Sequence, residues 1–343
     1  MTNLIPFPNF TQVFQIHKKV MKKERPEIPD KVPKCYRELI EKCWAHDPKD
    51  RPTFDEIVNM LRTDKRFITD YVEEEEFRNY IKYIDEPQTG LENHPDQAKT
   101  ASFTKIDLSS YLHQRIETKT IHSDAKTVRL YNYIKQKTLG SGSFGTVYKV
   151  YDEKEKKIYA AKVAKTYLTQ CNDDDVKNLE TEINIISKLK HPAILKFIGY
   201  NSSDFKGKPK PIILTEFIPN GSLQDIIELD RKGCRSRWDD TKKLICIYGI
   251  ASGMSYLHHL DILHRDLKPA NILLDEYLFP KISDFGLSKN IDESNNLLSS
   301  GYKGTYAYSA PEVFENEYSK PGDVYAFAII VYEIMTGENP YHN

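Results

Sequence analysis

The sequence predicts an α+β protein in two parts, one rich in β-strands and one mostly helical. Tyr148 to Val150 and Ile158 to Val163 are apolar runs on either side of a short turn, a pattern typical of two strands joined in a hairpin. Ile212 to Leu214 is a further short apolar run and predicts a buried strand. Asp323 to Met335 is strongly apolar over the length of a buried helix, and it is too short to span a bilayer.

Charge and composition indicate a cytoplasmic protein without a nucleic-acid or membrane partner. The 343 residues contain 49 Lys and Arg against 50 Asp and Glu, and this near-zero balance argues against general nucleic-acid binding. The chain has no apolar stretch long enough to cross a membrane, and its first residues lack the pattern of a signal peptide. The five cysteines show no C-x-x-C spacing, so free thiols in a reducing compartment are expected.

A glycine-rich turn lies at the start of the predicted hairpin. Gly140, Gly142 and Gly145, followed by Val147, give the pattern G-x-G-x-x-G-x-V. Glycine lets a backbone approach phosphate oxygens closely, but a lone triplet of this kind is often an ordinary loop. Lys162 lies on the next strand, where Val or Ile would be expected, and a Lys on a half-buried strand needs a partner.

Two short motifs carry the groups that phosphoryl transfer requires. His264 to Asn271 reads H-R-D-L-K-P-A-N, and Asp284-Phe285-Gly286 begins eighteen residues after Asp266. A carboxylate, an ammonium and an amide therefore lie within six residues, and a second carboxylate follows. The reaction needs a carboxylate to accept the hydroxyl proton, oxygen ligands for Mg²⁺ and a cation near the moving phosphate.

In this order, the motifs resemble those of the protein kinase superfamily. Lys268 and the run from Thr305 to Glu312, which ends in Ala-Pro-Glu, resemble the tyrosine-kinase-like serine/threonine group. The resemblance implies a two-lobed protein kinase fold, with a small lobe from Tyr133 to about Phe217 and a mostly helical large lobe from Gly221 to Asn343. It also implies ATP- and Mg²⁺-dependent phosphorylation of Ser and Thr hydroxyls on protein substrates.

The resemblance implies a role for each site residue. Asp266 would orient and deprotonate the substrate hydroxyl, and Lys268 would stabilise the transferring phosphoryl group. Lys162 would hold the α- and β-phosphates. The residues expected to bind ATP are Gly140, Gly142, Gly145, Val147, Ala160, Lys162, Glu216 and Ile218, and those expected to bind Mg²⁺ are Asn271 and Asp284.

In the family, this Lys is positioned by a Glu on the next helix. The run from Leu179 to Leu189 has apolar residues at a helical period, and two glutamates, Glu180 and Glu182, fall within it. Spacing to His191, where a His-Pro pair ends the helix, favours Glu182. A helix places the two carboxylates on different faces.

The motif that comes last in the protein kinase family lies near the N-terminus of this chain. Cys43 to Phe54 reads C-W-A-H-D-P-K-D-R-P-T-F, which resembles the final kinase subdomain, and residues 3–64 resemble the end of a large lobe. In the family, the Arg of this motif pairs with the Glu of Ala-Pro-Glu, here Arg51 and Glu312. Three interpretations are open: a circular permutant in which 1–64 docks on 300–343 in cis, a tandem protein cut at both ends, or two chains that complement each other in trans.

The predicted domains are a large-lobe segment at 1–68, an acidic helix and linker at 69–132, and the kinase small lobe with the first part of the large lobe at 133–343. In the linker, Phe77, Tyr80 and Ile84 share a helical stripe that predicts a short amphipathic helix against the large lobe. Residues 86–104 are rich in polar residues, Pro and Gly, and predict loop or disorder. Residues 109–129 are ambiguous between helix and strand.

The sequence also predicts regulation by phosphorylation and leaves two competing functions open. An Arg265 without an anion is costly, so phosphate on the activation segment would satisfy it, and an activating kinase is an expected partner. The candidate phosphosites are Ser294, Ser299, Ser300 and Tyr302. The competing functions are a non-catalytic pseudokinase scaffold, which the filled catalytic positions disfavour, and an incomplete fragment of a tandem kinase.

Overall fold

The structure is a computed structural model, and the residues it describes form two compact units. The described residues are 10–86, 125–142, 145–168, 173–234, 237–290, 305–315 and 317–341. The first unit is mostly helical, and its described residues lie within 10–86, 220–282 and 289–341. The second unit is β-rich, and its described residues lie within 125–219 and 283–288. This division agrees with the α+β kinase fold that the sequence predicts.

Eight helices and nine strands are described. The helices are α1 (Phe10–Met21), α2 (Lys34–Cys43), α3 (Phe54–Thr63), α4 (Glu74–Asp85), α5 (Asp173–Ile186), α6 (Leu223–Arg231), α7 (Asp240–His259) and α8 (Lys320–Thr336). The strands are β1 (Tyr133–Ser141), β2 (Gly145–Asp152), β3 (Lys157–Ala164), β4 (Phe197–Asn201), β5 (Ile212–Glu216), β6 (Ile262–Leu263), β7 (Ile272–Leu274), β8 (Pro280–Ile282) and β9 (Lys289–Asn290).

The β-rich unit is an antiparallel five-stranded sheet in the order β1-β2-β3-β5-β4, with α5 on one face. Side chains alternate between the faces along each strand. On the α5 side, Ile213 packs with Ile183 of the helix. On the opposite side, Ala161 and Leu214 belong to a second buried cluster. Lys162, between Ala161 and Val163 on β3, therefore points to the α5 side.

Helix α5 begins earlier than the apolar period predicts. The period predicts a helix from Leu179 to Leu189, whereas the helix runs from Asp173 to Ile186. Its first turn has a polar sequence, so hydrophobic periodicity does not reveal it. Beyond Ile186, the chain turns through hydrogen bonds that span three residues, and the helix ends there.

The helical unit is built around α7 and α8. Most residues of both helices are buried on every side, which explains the apolar sequence from Asp323 to Met335. Helix α8 ends at Gly337, whose φ of 72° is the left-handed conformation that closes helices and favours glycine. Two short antiparallel ladders, β6 with β9 and β7 with β8, complete the unit.

Side-chain caps fix where two of the surrounding helices begin. Thr53 and Glu56 form a capping box at the start of α3, because each side chain bonds the backbone N–H of the other. Ser222 and Asp225 do the same at the start of α6. Such caps satisfy N–H groups that have no partner within the helix, and each contributes about 1 kcal/mol.

The N-terminal helices pack on this centre. Helix α2 contacts α8, and α3 contacts α7. Phe54 meets Phe327 edge-on at 5.4 Å between ring centroids, and it meets His258 at 5.0 Å. Trp44 lies 6.1 Å from Tyr332. Residues from the start of the sequence thus share one hydrophobic core with residues from its end.

A buried ion pair joins the same two regions. Arg51 Nη1 lies 2.6 Å from Glu312 Oε1, and Nη2 lies 2.9 Å from Oε2, so the pair is bidentate. The Arg51 side chain has no exposed surface, and that of Glu312 is 9% exposed. The guanidinium also donates to the carbonyls of Ala45, His46 and Pro321, which leaves both charges well satisfied.

Helix α4 confirms the predicted amphipathic stripe. Phe77, Tyr80 and Ile84 are buried on a helix that begins at Glu74. The Tyr80 ring lies 4.5 Å from that of Phe279, which directly precedes β8. This helix therefore covers the β7–β8 turn as well as α7.

The contact between α4 and α7 depends on the lack of a side chain at Gly249. A Cβ atom there would lie 2.3 Å from the Tyr80 hydroxyl and 2.5 Å from Pro280 Cγ. The Tyr80 hydroxyl is buried and has no hydrogen-bond partner. Close approach of the two helices at this glycine therefore outweighs the cost of an unsatisfied hydroxyl.

Replacement of Gly249 tests this packing. We expect Gly249→Ala to lower the free energy of unfolding by about 1–3 kcal/mol, because Tyr80 and Pro280 must both move away from the new methyl group. Gly322→Ala is the matched control, since its Cβ would meet neighbours at ordinary distances of 3.5 and 3.8 Å. Urea unfolding of both variants measures the difference, and equal stability would show that the contact tolerates a methyl group.

Candidate active site

Lys162 forms the centre of a charged cluster in the β-rich unit. Its Nζ lies 2.6 Å from Glu182 Oε1 on α5 and 3.1 Å from Asp284 Oδ1. The Glu182 side chain is 9% exposed, whereas that of Asp284 is 37% exposed. Glu182, the glutamate favoured by sequence spacing, therefore lies within bonding distance of Lys162.

The neighbouring carboxylates set the protonation state of Lys162. Burial alone would lower the pKa of this ammonium, because a charge is poorly solvated there. The charges of Glu182 and Asp284 and their hydrogen bonds outweigh burial, so the pKa is raised above its usual value. Lys162 is therefore expected to stay protonated near neutral pH.

The glycine-rich turn joins β1 to β2 close to this lysine. Gly142 N–H donates to the Gly145 carbonyl at 2.9 Å, while Ser143 and Phe144 lie outside the described residues. A Cβ at Gly145 would lie 2.6 Å from the Val163 carbonyl oxygen. Glycine is therefore required at 145 for β2 to approach β3 this closely.

Strand register places the predicted nucleotide-binding residues on the face of Lys162. Val147 is paired directly with Lys162, and Ala160 lies two residues before it on the same strand. At the end of β5, the Glu216 N–H donates to the Lys196 carbonyl at 3.0 Å. If the backbone from Glu216 to Ile218 binds the adenine of ATP, it therefore does so through groups other than the Glu216 N–H, which is already hydrogen-bonded.

Asp266 lies in a dense hydrogen-bond network in the helical unit. Lys268 Nζ donates to Asp266 Oδ2 at 2.6 Å, and the Thr305 hydroxyl donates to Oδ1 at 3.0 Å. Asn271 Nδ2 donates to Oδ2 at 3.0 Å and to the Asp266 carbonyl at 2.8 Å. Lys268 also donates to Thr305 at 2.9 Å, which closes a ring of three side chains. Three donors thus hold one carboxylate in a single orientation.

Asp323 at the start of α8 holds the backbone of this loop. Its Oδ2 accepts from the His264 N–H at 3.0 Å, and its Oδ1 accepts from the Arg265 N–H at 2.9 Å. His258 Nε2 lies 3.0 Å from Oδ2. Burial would raise the pKa of Asp323, but the hydrogen bond and charge of His258 contribute to a net lowering. The ionised carboxylate stabilises Arg265 at a φ of 68°, a conformation that costs free energy in a residue with a side chain.

The Arg265 side chain stacks on an aromatic ring that the sequence did not indicate. Its guanidinium carbon lies 3.8 Å from the centre of the Tyr318 ring, and its Nε is buried without a hydrogen bond. The four candidate phosphosites between 294 and 302 lie outside the described residues, so activation by phosphorylation stays a prediction. Sequence spacing does not indicate that Tyr318 stacks on Arg265, because this contact forms only in the folded protein.

Asn271 and Asp284 are expected to bind Mg²⁺ because of the oxygen atoms that their side chains carry. Among the described residues, no group of three or more His, Cys, Asp or Glu side chains is placed to hold a metal ion. Asn271 and Asp284 carry amide and carboxylate oxygens, the hard ligands that Mg²⁺ prefers, and Mg²⁺ is commonly bound by one or two carboxylates together with water and substrate phosphates. The residue types therefore fit Mg²⁺ held partly by a nucleotide.

Tyr308 and Glu333 form a further buried contact near the catalytic loop. The Tyr308 hydroxyl donates to Glu333 Oε1 at 2.6 Å, so the segment after Thr305 is tied to α8. Burial raises the pKa of Glu333 to about 7, and the hydrogen bond from Tyr308 and the charge of Arg231 offset this only in part. No sequence pattern indicates this pair, because a lone Glu in an apolar helix gives no sign of its partner.

Comparison with known proteins agrees with this geometry. The family profile described as "Protein kinase domain" matches residues 133–343, which is more than half of the chain. A second profile, "Protein tyrosine and serine/threonine kinase", matches residues 2–61. The chain belongs to the protein kinase superfamily, and within it to the tyrosine-kinase-like serine/threonine group.

Curated relatives are receptor-like and dual-specificity kinases. Cysteine-rich receptor-like protein kinase 10 of Oryza sativa subsp. japonica is 36% identical over 215 residues, covering 61% of this chain and 32% of that protein. Dual specificity protein kinase pyk3 of Dictyostelium discoideum is 28% identical over 349 residues, covering 99% of this chain and 23% of that protein. The chain spans from 17% to 58% of the length of the curated relatives that it matches. None of the described helices has the length and apolar character needed to cross a membrane.

The raised pKa of Glu333 predicts a pH-dependent stability. An acid whose folded-state pKa exceeds its unfolded value binds more protons when folded, so its contribution to stability falls as the pH rises. Between pH 5 and 8, we expect Glu333 to cost up to about 2–3 kcal/mol as it ionises. Glu333→Gln keeps an acceptor for Tyr308 and removes the ionisation.

Unfolding of wild type and Glu333→Gln at several pH values measures this effect. The stability of Glu333→Gln relative to wild type should increase from pH 5 to pH 8, since only wild type ionises the buried group. Taking the difference between the two proteins removes the titration of all other groups. A pH-independent difference would show that Glu333 has an ordinary pKa.

Proposed function

We propose that this chain transfers the γ-phosphoryl group of ATP to Ser and Thr hydroxyls of protein substrates. The observation that carries the proposal is the ring formed by Asp266, Lys268 and Thr305, with Asn271 bonded to the same carboxylate. It combines a fixed carboxylate with a cation beside it. The family match supports a protein kinase, and the names of the relatives include serine/threonine and dual-specificity kinases.

In this proposal, Asp266 orients the substrate hydroxyl and accepts its proton, because its carboxylate is held by three donors and is only 9% exposed. Lys268, whose ammonium lies 2.6 Å from that carboxylate, offsets negative charge on the transferring phosphoryl group. Thr305 keeps Asp266 and Lys268 in register through its hydroxyl.

Lys162 is proposed to bind the α- and β-phosphates, with Glu182 fixing its ammonium. The glycine-rich turn, Val147, Ala160 and the segment from Glu216 to Ile218 are proposed to bind the rest of the nucleotide. Asn271 and Asp284 would hold Mg²⁺, which, when bound, neutralises phosphate charge. Each of these roles is carried over from the family to matching residues of this chain.

A phosphoryl-transfer assay with labelled ATP and a generic basic protein tests the activity. We expect Asp266→Asn to lower the rate by at least about 100-fold, since general-base catalysis contributes that much. Asp261→Asn is the matched control, because Asp261 is close in sequence, exposed, and has a φ of 56° that Asn tolerates.

Each outcome of this assay separates the kinase from its alternative. Activity in wild type and Asp261→Asn that is lost in Asp266→Asn supports the proposed function. ATP binding without transfer in wild type would favour the pseudokinase scaffold. An Asp266→Asn variant as active as wild type would remove Asp266 from the mechanism.

We further propose that residues 10–86 complete the large lobe of the same chain. The support is the shared core, in which Phe54 contacts Phe327 (ring centroids 5.4 Å apart), and the buried pair of Arg51 with Glu312. The alignment with the Dictyostelium kinase covers 99% of this chain, so that protein has the two kinase-like segments in the same order. This shared order also fits an origin in a tandem arrangement.

A double-mutant cycle tests the completed lobe. We expect Arg51→Met or Glu312→Gln alone to destabilise the protein by about 3–5 kcal/mol, since each leaves a buried charge or acceptor unpaired. The double variant should recover much of this loss. Arg66→Met is the control, because its ion pair with Glu38 is exposed and should contribute little to stability.

Light scattering distinguishes docking within one chain from exchange between two chains. A monomer that shows the coupling between Arg51 and Glu312 supports docking in cis. A dimer would favour complementation in trans. Additive single effects would indicate that residues 10–86 do not dock on the lobe in solution.

A further inference from the structure

A short segment ahead of β1 lies along the open edge of the sheet. Residues 125–130, here named the edge clasp, run parallel to β4 and form a bridge between Thr127 and Tyr200. Val128 N–H donates to the Tyr200 carbonyl at 2.9 Å, and Tyr200 N–H donates to the Lys126 carbonyl at 3.0 Å. Asn201 Nδ2 adds a bond to the Val128 carbonyl at 2.8 Å. Because β4 is the last strand in the sheet, the clasp covers an edge that would otherwise be unpaired.

The clasp contacts both faces of the sheet. Ala125 is buried in the cluster that contains Tyr200 and Ile183, which is the cluster on the α5 side. Val128 is buried in the opposite cluster with Ile212 and Leu214, and Leu130 packs against it. The segment therefore wraps around the edge of the sheet.

Gly199 on β4 is shaped for this segment. A Cβ at Gly199 would lie 2.3 Å from Val128 Cγ1 and 2.7 Å from the Lys126 carbonyl oxygen. A glycine within a strand weakens it and often marks a place where another backbone approaches closely. The close approach of the clasp explains why this position of β4 is a glycine, and the glycine leaves room for the clasp.

The clasp shares a buried cluster with the helix that carries the partner of Lys162. Ala125 and Ile183 both belong to this cluster, and Ile183, which is fully buried, is the residue next to Glu182. A side chain on this turn of α5 moves with Glu182, because the helix is a rigid element. Ala125 and Glu182 are thereby linked through the packing of one cluster.

We propose that the edge clasp positions α5, so that the ion pair between Glu182 and Lys162 forms only when the clasp is docked on β4. The clasp is a positioning element and touches no reacting atom. This inference rests on the proposed function for its effect on catalysis, and its structural part stands independently.

Amide hydrogen exchange on the full chain tests the structural part. Ala125→Asp places a charge in the buried cluster, whereas Thr127→Asp, the matched control, places it at an exposed position of the same segment. We expect exchange in α5 to become at least tenfold faster in Ala125→Asp and to stay unchanged in Thr127→Asp, with β1 to β3 protected in both.

Gly199→Ala provides a second route to the same state, since it displaces the clasp without changing its sequence. It should also speed exchange in α5 while β1 to β3 stay protected. Unchanged exchange in α5 for both Ala125→Asp and Gly199→Ala would overturn the proposal. So would a uniform loss of protection that includes β1 to β3, because it would show a purely structural role.

Kinetics with ATP as the varied substrate test the catalytic part. If the clasp acts through Glu182, Ala125→Asp should lower kcat/KM about as much as Glu182→Gln, and the double variant should be no worse than either. Ala125→Ser, which adds only a small uncharged hydroxyl, should retain kcat/KM close to that of wild type. Additive losses in the double variant would overturn the link to Glu182.

Failure of the proposed function would be distinguishable from failure of the clasp. A wild-type chain without phosphoryl transfer would refute the kinase activity, and exchange in α5 would still decide whether the clasp positions the helix. Transfer activity with unchanged exchange and kinetics in Ala125→Asp would refute the clasp alone.

Discussion

The buried ion pair between Arg51 and Glu312 is the constraint on which the helical unit depends. Neither charge is solvated, so each requires the other, and the bidentate geometry fixes their relative orientation as well as their distance. Such a pair adds less to stability than its Coulomb energy suggests, because desolvation is costly, but removing one partner is severe. Its effect here is to specify which surface of α8 and the preceding turn the N-terminal helices cover.

The same unit transmits this order to the catalytic loop through Asp323. Helix α8 is buried on nearly every side, so its first turn is held rigidly, and the Asp323 carboxylate bonds two successive backbone N–H groups of the loop. The strained backbone of Arg265 persists because these bonds compensate it. Asp266 is thereby presented to Lys268, Thr305 and Asn271 in one orientation. The packing of α8 in the core and the orientation of Asp266 at the site are therefore linked by a continuous series of contacts.

Much of this arrangement could be predicted from sequence, because family motifs and periodicity are local signals. The stripe of Phe77, Tyr80 and Ile84 predicted a buried face, and spacing to His191 favoured the glutamate that contacts Lys162. The polar first turn of α5 was missed, since it has no apolar period. Tyr318 beneath Arg265 and the fit of Val128 against Gly199 depend on contacts between distant parts of the chain. No pattern within a short window encodes such contacts, so they required the structure.

The separation of Arg51 from Glu312 by 261 positions in the chain has a consequence for biosynthesis. Trp44 and Phe54 are synthesised well before Tyr332 and Phe327, the residues that pack on them. At typical rates of translation, this delay lasts roughly 15 to 55 seconds. During it, an apolar surface that the mature protein never exposes is open to other chains. The long separation in sequence therefore lengthens the time for which this surface needs protection by chaperones.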